Sequence, residues 1–331
     1  MSPTDVYLIG SNSAFGSRVI ASEEVDRAFG MPVGKLKNRA GILSVTYVAD
    51  HEDEGTLGEA AANPLLHAAK AEKRSIDWIL AASETHHAYP SLSAILHARL
   101  RLCENCSALD VGSGCLAIVQ ALAVAQALLS SGRAQNVLVV SADVHSTTLG
   151  PGRAAGEFGG LFGDGASAFL LSTTRPEPPR PVYRLGEFFF GCASQYAEAI
   201  SISDAGGGRL EVQFEGEALS RAAVSRMVKV LEEAESRSGL SLKEAGALVT
   251  HQPNPRLVAL VAKQLDMPLE TFPPITATRG NLGSSTCGAA LHAAMDDASH
   301  KPAAERKPFF LASLGPGLLF GGGWMVPVLN S

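Results

Sequence analysis

The 331-residue sequence lacks an excess of positive charge, because 27 lysine and arginine residues stand against 33 aspartate and glutamate residues, a net charge of −6. A chain of this sign has no general attraction for nucleic-acid backbones or anionic membranes, so neither is expected as a partner. Charged residues make up only 18% of the chain and hydrophobic residues 46%. That composition excludes an intrinsically disordered protein and allows a large buried core.

Targeting and membrane-spanning segments are also not expected. Met1–Gly10 has neither the basic start nor the long apolar stretch of a signal peptide. The apolar run Cys115–Leu129 is too short to span a bilayer, and Pro308–Leu329 is interrupted by Pro316 and several glycines. The five cysteines are odd in number. Together these features predict a cytoplasmic protein with free thiols.

Short apolar runs alternate with longer alanine-rich segments of helical period, which is typical of an α/β protein with mainly parallel, buried strands. At about 150 residues per domain, the length predicts two units. The proline-rich stretch Thr174–Pro181 is expected to link an N-terminal half, residues 1–173, to a C-terminal half, residues 182–331. Similar glycine–serine runs precede a helix in each half, at Gly112–Cys115 and Gly283–Cys287, which fits a duplicated fold.

Cys115 is the most informative position for chemistry. It follows the small, flexible turn Val111–Gly114 and precedes a long apolar helix that is predicted to stop at Gly132. Unpaired backbone N–H groups and the dipole at a helix N-terminus favour a thiolate, so we expect a nucleophile with a lowered pKa. The alternative is that Cys115 is a small buried apolar side chain, a frequent role for free cysteine.

Two further residues stand where a nucleophilic cysteine would need partners. His251 ends the predicted strand Ala247–Thr250, and catalytic residues of α/β sheets gather at the carboxyl ends of strands. Asn281 lies in the glycine-rich turn Arg279–Gly283, where an amide could approach a ligand. His251 could instead be an ordinary surface histidine, and Asn281 could simply stabilise its turn. No metal site is expected, because Cys103 and Cys106 have ligand spacing but no second pair of ligands.

Four ordered motifs nevertheless make the chain resemble the β-ketoacyl-ACP synthase III family of the thiolase superfamily. The motifs cover both halves and occur in the family's order: Asp110–Leu122 (DVGSGCLAIVQAL), Phe162–Ala166 (FGDGA), His251–Asn254 (HQPN) and Gly280–Ser284 (GNLGS). The resemblance implies a thiolase-like fold, in which two duplicated βαβαβ-type halves form a layered α-β-α-β-α arrangement.

The resemblance also implies a reaction and its catalytic residues. Cys115 matches the acyl-accepting nucleophile, and His251 and Asn281 match the pair that assists decarboxylation of a malonyl unit. An acyl-CoA would load Cys115, malonyl-ACP would lose CO₂, and the resulting carbanion would attack the thioester. The CoA thioester and acyl carrier protein are then substrates, and no cofactor is implied. The family forms homodimers, so a homodimer is expected.

Substrate contacts are expected at Arg39 and Asn254, which match positions that touch CoA, and at Gly317 in a C-terminal glycine motif. The sequence departs from the family beside these positions. Lys35 replaces a tryptophan that stacks on adenine, and Pro316 replaces a glycine whose N–H could stabilise an oxyanion. The acyl donor could therefore be acyl-CoA or acyl-ACP.

Two other functions remain open from the sequence. The first is transfer of the acyl group to a hydroxyl or amine without decarboxylation. The second is a non-catalytic subunit of a condensing heterodimer, although such subunits typically lose the nucleophile or the base. For the acidic carrier protein, Arg221, Arg226 and Lys229 on a long helix could form a basic patch or merely an ordinary solvated face.

Overall fold

The computed structural model describes residues 4–176, 181–214 and 216–328, which form α-helices, 3₁₀ turns and β-strands. The strands are β1 (Tyr7–Phe15), β2 (Arg18–Ala21), β3 (Ser44–Tyr47), β4 (Trp78–Ala82), β5 (Ser107–Val111), β6 (Asn136–Val144), β7 (Asp164–Ser172), β8 (Tyr183–Cys192), β9 (Ile200–Gly206), β10 (Arg209–Phe214), β11 (Ala247–Thr250), β12 (Phe309–Gly315) and β13 (Leu319–Pro327). The helices are α1 (Ser22–Ala28), α2 (Lys35–Ala40), α3 (Glu54–Ala69), α4 (Leu92–Leu100), α5 (Ala117–Ser130), α6 (His145–Thr148), α7 (Gly156–Gly159), α8 (Gly216–Ser238), α9 (Pro255–Gln264), α10 (Thr276–Arg279) and α11 (Ser285–Ser299).

Nine strands form one mixed sheet in the order β11-β12-β13-β8-β1-β7-β6-β4-β5. In this order, β1, β4, β5, β6 and β7 form one end of the sheet, and β8, β11, β12 and β13 form the other end. The two ends meet where Tyr7 and Leu8 of β1 pair with Arg184 and Tyr183 of β8. The α/β class is thus confirmed. The expected linker Thr174–Pro181 includes residues 177–180, which lie outside the described residues, so the division into halves stays a prediction.

The expectation of mainly parallel strands is wrong. β4 runs parallel to β5 and β6, and β11 runs parallel to β12, but β1, β7, β8 and β13 pair antiparallel with their neighbours. The turn Pro316–Leu318 joins β12 to β13. A connection this short can only reverse the chain, because parallel neighbours need a crossover of a dozen or more residues.

Helices cover the sheet in three layers. α3 and α4 pack on the β4–β7 side, and α8 and α9 pack on the β11–β13 side. Between them lie α5 and α11, which pack against strands from both ends of the sheet. One core contains Leu122 of α5 and Leu291 of α11 together with Phe169 of β7 and Leu311 of β12. One apolar core thus lies under α3 and α4, one around α5 and α11, and one under α8 and α9. The three helix layers and the two ends of the sheet between them form the expected α-β-α-β-α arrangement.

Local sequence explains where two of these helices begin. Asp53 caps α3: its carboxylate accepts the Thr56 N–H at 2.7 Å, and the Thr56 hydroxyl accepts the Asp53 N–H at 2.6 Å. Asn254 caps α9 by accepting the Leu257 N–H at 3.0 Å, and Pro255 occupies the first helical position, where no N–H is needed. Among the described residues, no helix has the length and apolarity to cross a bilayer.

A short backbone bridge ties the two sides of the fold together beside the cavity described below. Phe162 pairs with Asn281: the Asn281 N–H donates to Leu161 O at 2.8 Å, and the Gly163 N–H donates to Asn281 O at 2.9 Å. A Cβ atom on Gly163 would lie 2.0 Å from the carbonyl oxygen of Arg279. Gly163 therefore permits the close approach that positions Asn281.

Replacing Gly163 with alanine should destabilise the protein by about 3 kcal/mol, since the clashing atom belongs to the backbone and cannot rotate away. The free energy of unfolding from urea denaturation measures the effect. Gly112→Ala is the control, because a Cβ there meets no heavy atom within 4 Å. Equal stability of Gly163→Ala and wild type would show that this approach is not tight.

Candidate active site

One cavity of about 160 Å³ is lined by all three predicted catalytic residues, Cys115, His251 and Asn281. Asn254 also lines it. The rest of the wall is mostly apolar and comes from α7, β9, α8, α9 and the end of β12, including Phe158, Ile200, Leu219, Leu257 and Leu314. A larger groove of about 720 Å³ beside β8 and β13 contains none of the predicted residues.

Cys115 lies in a single 3₁₀ turn, Gly114–Leu116, immediately before α5. Gly114 has a φ of +57°, and its missing side chain leaves room for Pro316, whose Cδ would lie 2.6 Å from a Cβ there. The Ser313 hydroxyl donates to Cys115 O at 2.8 Å. The end of β12 and the turn after it thus hold the cysteine backbone in place from the other side of the fold.

The Cys115 thiol donates a hydrogen bond to Glu84 Oε2 at 3.3 Å. Burial and then the negative charge of Glu84 raise the pKa of the Cys115 thiol well above its usual value. The expected lowering of this pKa is therefore wrong. The cause is that burial and an adjacent carboxylate outweigh the helix N-terminus.

Glu84, which is partly buried, and His145, which is buried, form an ion pair beside the thiol. Glu84 Oε1 lies 2.8 Å from His145 Nε2, and His145 Nδ1 lies 3.1 Å from Gly163 O. Both partners of the imidazole are acceptors, so both ring nitrogens must carry protons. Burial opposes that charge, but Glu84 raises the pKa of His145 to about 9. In return, against the effect of burial, the imidazolium lowers the pKa of Glu84.

Asp143 joins this pair to the turn that carries Asn281. One carboxylate oxygen accepts the Glu84 N–H at 2.7 Å, and the other accepts from the Ser284 hydroxyl at 2.5 Å and the Ser285 N–H at 3.2 Å. Burial and the charge of Glu84 raise the pKa of Asp143 to about 6. The hydrogen bonds of Asp143 thus fix two backbone segments, one at Glu84 and one at Ser285.

His251 follows β11, as its sequence position predicts, and its N–H donates to Ala312 O at 2.9 Å. Its side chain is buried, and Nδ1 has no hydrogen-bond partner within the described part of the chain. Burial lowers the pKa of His251 to about 4, although Glu84 opposes the shift. His251 is thus neutral at pH 7 and does not form a thiolate–imidazolium pair with Cys115.

The Asn281 side chain is oriented by its neighbours. Oδ1 accepts the Gly283 N–H at 3.1 Å and the Thr286 hydroxyl at 3.0 Å. Because those donors occupy the carbonyl oxygen, the amide Nδ2 is the group left to donate to a ligand. A neutral imidazole and an amide donor beside one cysteine can stabilise a developing oxyanion or enolate.

The predicted substrate contacts divide into two groups. Asn254 lines the cavity, but its side-chain oxygen Oδ1 caps α9 by accepting the Leu257 N–H. Arg39 is exposed on α2 and does not reach the cavity wall, and neither does Gly317, which takes a φ of +80° in the turn after β12. Lys35 forms an ion pair with Glu157 at 2.5 Å. Arg39 and Gly317 thus remain predictions with no support from this cavity.

Sequence reasoning missed Glu84 and His145. Both follow buried strands, β4 and β6, at the same strand ends as Asp143. The strand-end rule that singled out His251 would have found them had it been applied to every strand. Asp164, in contrast, is a buried carboxylate at the start of β7 that accepts the N–H groups of Val48 and Ser146. No metal-binding group of side chains occurs within residues 4–176, 181–214 and 216–328.

Known proteins of one family match this chain along most of its length. The model of 3-oxoacyl-[acyl-carrier-protein (ACP)] synthase III matches residues 109–184, and the model of that synthase's C-terminal part matches residues 236–325. β-Ketoacyl-[acyl-carrier-protein] synthase III of Haemophilus ducreyi is 27% identical over 319 residues, which cover 96% of each chain.

Solved structures agree with this match. 3-Oxoacyl-(acyl carrier protein) synthase III of Pseudomonas aeruginosa is 25% identical, with a TM-score of 0.85 over 99% of this chain and 100% of that one. A variant of OleA from Xanthomonas campestris shares the fold alone, at 18% identity and a TM-score of 0.85 over 97% and 98% of the two chains. The thiolase-like fold is thereby confirmed.

The two matched segments together span half of the chain. The first contains Cys115, and the second contains His251 and Asn281. The chain belongs to the 3-oxoacyl-[acyl-carrier-protein] synthase III family of acyl-transferring condensing enzymes.

Proposed function

We propose that this protein catalyses a decarboxylative Claisen condensation in fatty-acid or polyketide biosynthesis. An acyl group from acyl-CoA or acyl-ACP loads onto Cys115, and malonyl-ACP then supplies the carbon nucleophile. The observation that carries the proposal is that Cys115, His251 and Asn281 line one cavity, although they come from distant parts of the chain.

In the loading step, Cys115 sulfur attacks the thioester carbonyl and CoA or the carrier thiol leaves. The backbone N–H of Cys115 serves as an oxyanion donor. Pro316, on the cavity wall, has no N–H, so this turn supplies one donor fewer than a glycine would. Most of the oxyanion stabilisation is therefore expected from the Cys115 side of the cavity.

In the condensation step, the bond between the malonyl carboxylate and its α-carbon breaks, and CO₂ leaves. The electron pair remains as an enolate, whose oxygen accepts hydrogen bonds from neutral His251 and from Asn281 Nδ2. The enolate carbon then attacks the acyl carbonyl, and Cys115 leaves as a thiolate that takes up a proton from solvent. The proposed reaction requires no cofactor at any step.

Acyl transfer to a hydroxyl or amine is the second candidate, because the departures from the family at Lys35 and Pro316 leave room for it. Such transfer needs no enolate and thus makes less use of Asn281. Retention of the nucleophile and of both partners argues against a non-catalytic subunit. Release of CO₂ separates the condensing reaction from simple transfer.

A carrier protein needs a docking surface near the cavity, and α8 is the proposed place. Arg221 and Lys229 are exposed on this helix, and the Arg226 guanidinium lies 4.4 Å from the ring centre of Phe320. Leu219 and Ala223 of the same helix line the cavity. An acidic carrier protein on α8 would therefore present its arm close to Cys115.

We also propose a homodimer formed along β5. This strand is at the edge of the sheet and pairs with β4. Its Leu109 is 42% exposed, and Tyr89, on the loop after β4, is 97% exposed. Open strand edges that carry apolar side chains tend to pair with another chain, so a second copy is a suitable cover.

Replacing His251 or Asn281 with alanine should reduce CO₂ release from malonyl-ACP about 10²- to 10³-fold, because each change removes a donor to the enolate, while acylation of Cys115 continues. Radiolabelled CO₂ and intact-protein mass measure the two steps. His67→Ala, at an exposed position on α3, is the control. Wild-type acylation without CO₂ release would instead support transfer to another acceptor.

Light scattering of the wild-type protein should give a molar mass of twice the 34.5 kDa of one chain. Replacing Leu109 with lysine should shift this mass toward that of the monomer, because a charge would be buried at the proposed interface. Leu260→Lys, at a residue of α9 that is 48% exposed, is the matched control and should remain dimeric. A wild-type monomer, or a dimer indifferent to Leu109→Lys, would contradict the proposed interface.

A further inference from the structure

The hydrogen bond of the nucleophile goes to a residue that the mechanism above does not use. The Cys115 thiol donates to Glu84, while His251, which shares the cavity, is neutral and buried. To accept an acyl group from a thioester, the cysteine sulfur must lose its proton. The group in contact with that proton is the carboxylate of Glu84.

Glu84 is held rigidly in this position. Its second oxygen is paired with His145 at 2.8 Å, and its backbone N–H is bound by Asp143 at 2.7 Å. Gly283 makes the space for the pair, since a Cβ there would lie 2.4 Å from Glu84 Oε1 and 2.6 Å from His145 Cε1. A Cβ on Gly114 would lie 3.3 Å from Glu84 Oε2. Backbone on two sides thus leaves room for this carboxylate and for little else.

The charges around the thiol explain why a base is needed. Glu84, Asp143 and Asp164 are carboxylates of this buried region, and His145 is its cation. The surrounding field therefore favours the neutral thiol over a thiolate. A standing ion pair with His251 is not available, so the proton must be removed as the sulfur attacks.

We propose that Glu84 is the general base that takes the Cys115 proton during acyl loading, and that His145 is the positioning residue that orients it. This inference deepens the proposed function and rests on Cys115 being the acyl acceptor.

The proton and electrons balance within the loading step. The Cys115 proton moves to Glu84 Oε2 while the sulfur forms a bond to the thioester carbon and the carbonyl electrons move to oxygen. When the carbonyl reforms, the bond to the CoA sulfur breaks. Glu84 then returns the proton to that sulfur, which gives acyl-Cys115 and free CoA thiol.

The first test is the pH profile of acylation. Rapid-quench mass spectrometry would follow single-turnover loading from acetyl-, butyryl- and octanoyl-CoA, and from the corresponding carrier-protein thioesters, between pH 6.5 and 8.5. With Glu84 ionised throughout, the wild-type rate should be nearly flat. In Glu84→Gln, loading should depend on the thiolate and rise about tenfold per pH unit, from a rate about 10²-fold below wild type at pH 6.5. A wild-type rate that itself rises tenfold per unit would overturn the proposal.

Matched variants separate a base from a structural group. Glu54→Gln is the control, because Glu54 accepts a hydrogen bond from Thr85 at 2.7 Å without touching Cys115, and its profile should stay flat. Glu84→Asp keeps the charge but withdraws it from the thiol, so it should slow loading and retain the flat profile. His145→Gln removes the cation that lowers the pKa of Glu84, so its loading should begin to fall at a higher pH than in wild type. An unchanged His145→Gln profile would contradict the positioning role.

The second test needs no acyl donor, so it remains decisive if the proposed function fails. Iodoacetamide alkylates cysteine in proportion to the thiolate present. Removing the charge in Glu84→Gln should lower the pKa of the Cys115 thiol and speed alkylation at pH 8, by about tenfold for each unit of the shift. Alkylation at the wild-type rate would show that Glu84 does not contact the thiol, and the inference would fall. Absence of any acyl adduct in the first test would contradict the proposed function instead.

Discussion

The packing of α5 and α11 between the two ends of one sheet is the constraint on which the candidate site depends. α5 begins just after Cys115, and α11 begins just after the turn that carries Asn281. Since both helices are buried together, their N-terminal turns are brought to the same cavity. His251 arrives from the end of β11, which lies at the far end of the same sheet from β4.

Burial of the site then determines its electrostatics. It keeps His251 neutral, which suits a hydrogen-bond donor to an enolate, and it keeps Cys115 protonated, which does not suit a nucleophile. The Glu84 carboxylate adds to the raised pKa of Cys115, and it is also the group that accepts the thiol's hydrogen bond while its other oxygen pairs with His145. Under the proposal for loading, this carboxylate accepts the proton that the buried thiol retains.

The sequence predicted the α/β class, and local signals at strand and helix ends pointed to Cys115, His251 and Asn281 one by one. Their grouping as one catalytic set came from the resemblance to the family, and all three line one cavity. The raised pKa of Cys115 could not be predicted, since it arises from burial and from Glu84, 31 residues earlier in the chain. The antiparallel strands were missed because apolar runs do not encode strand direction. The expected contact at Arg39 depends on how a bound CoA lies, which spacing in the sequence does not determine.

Intact-protein mass spectrometry of wild type and Cys115→Ala, after incubation with acyl-CoA and acyl-ACP donors, tests the central claim most directly. The claim is that Cys115 accepts the acyl group. The predicted result is a mass gain of one acyl group in wild type, located on the peptide that contains Cys115 and lost in the variant. An adduct that persists in Cys115→Ala, or acyl transfer at the wild-type rate by that variant, would contradict the account.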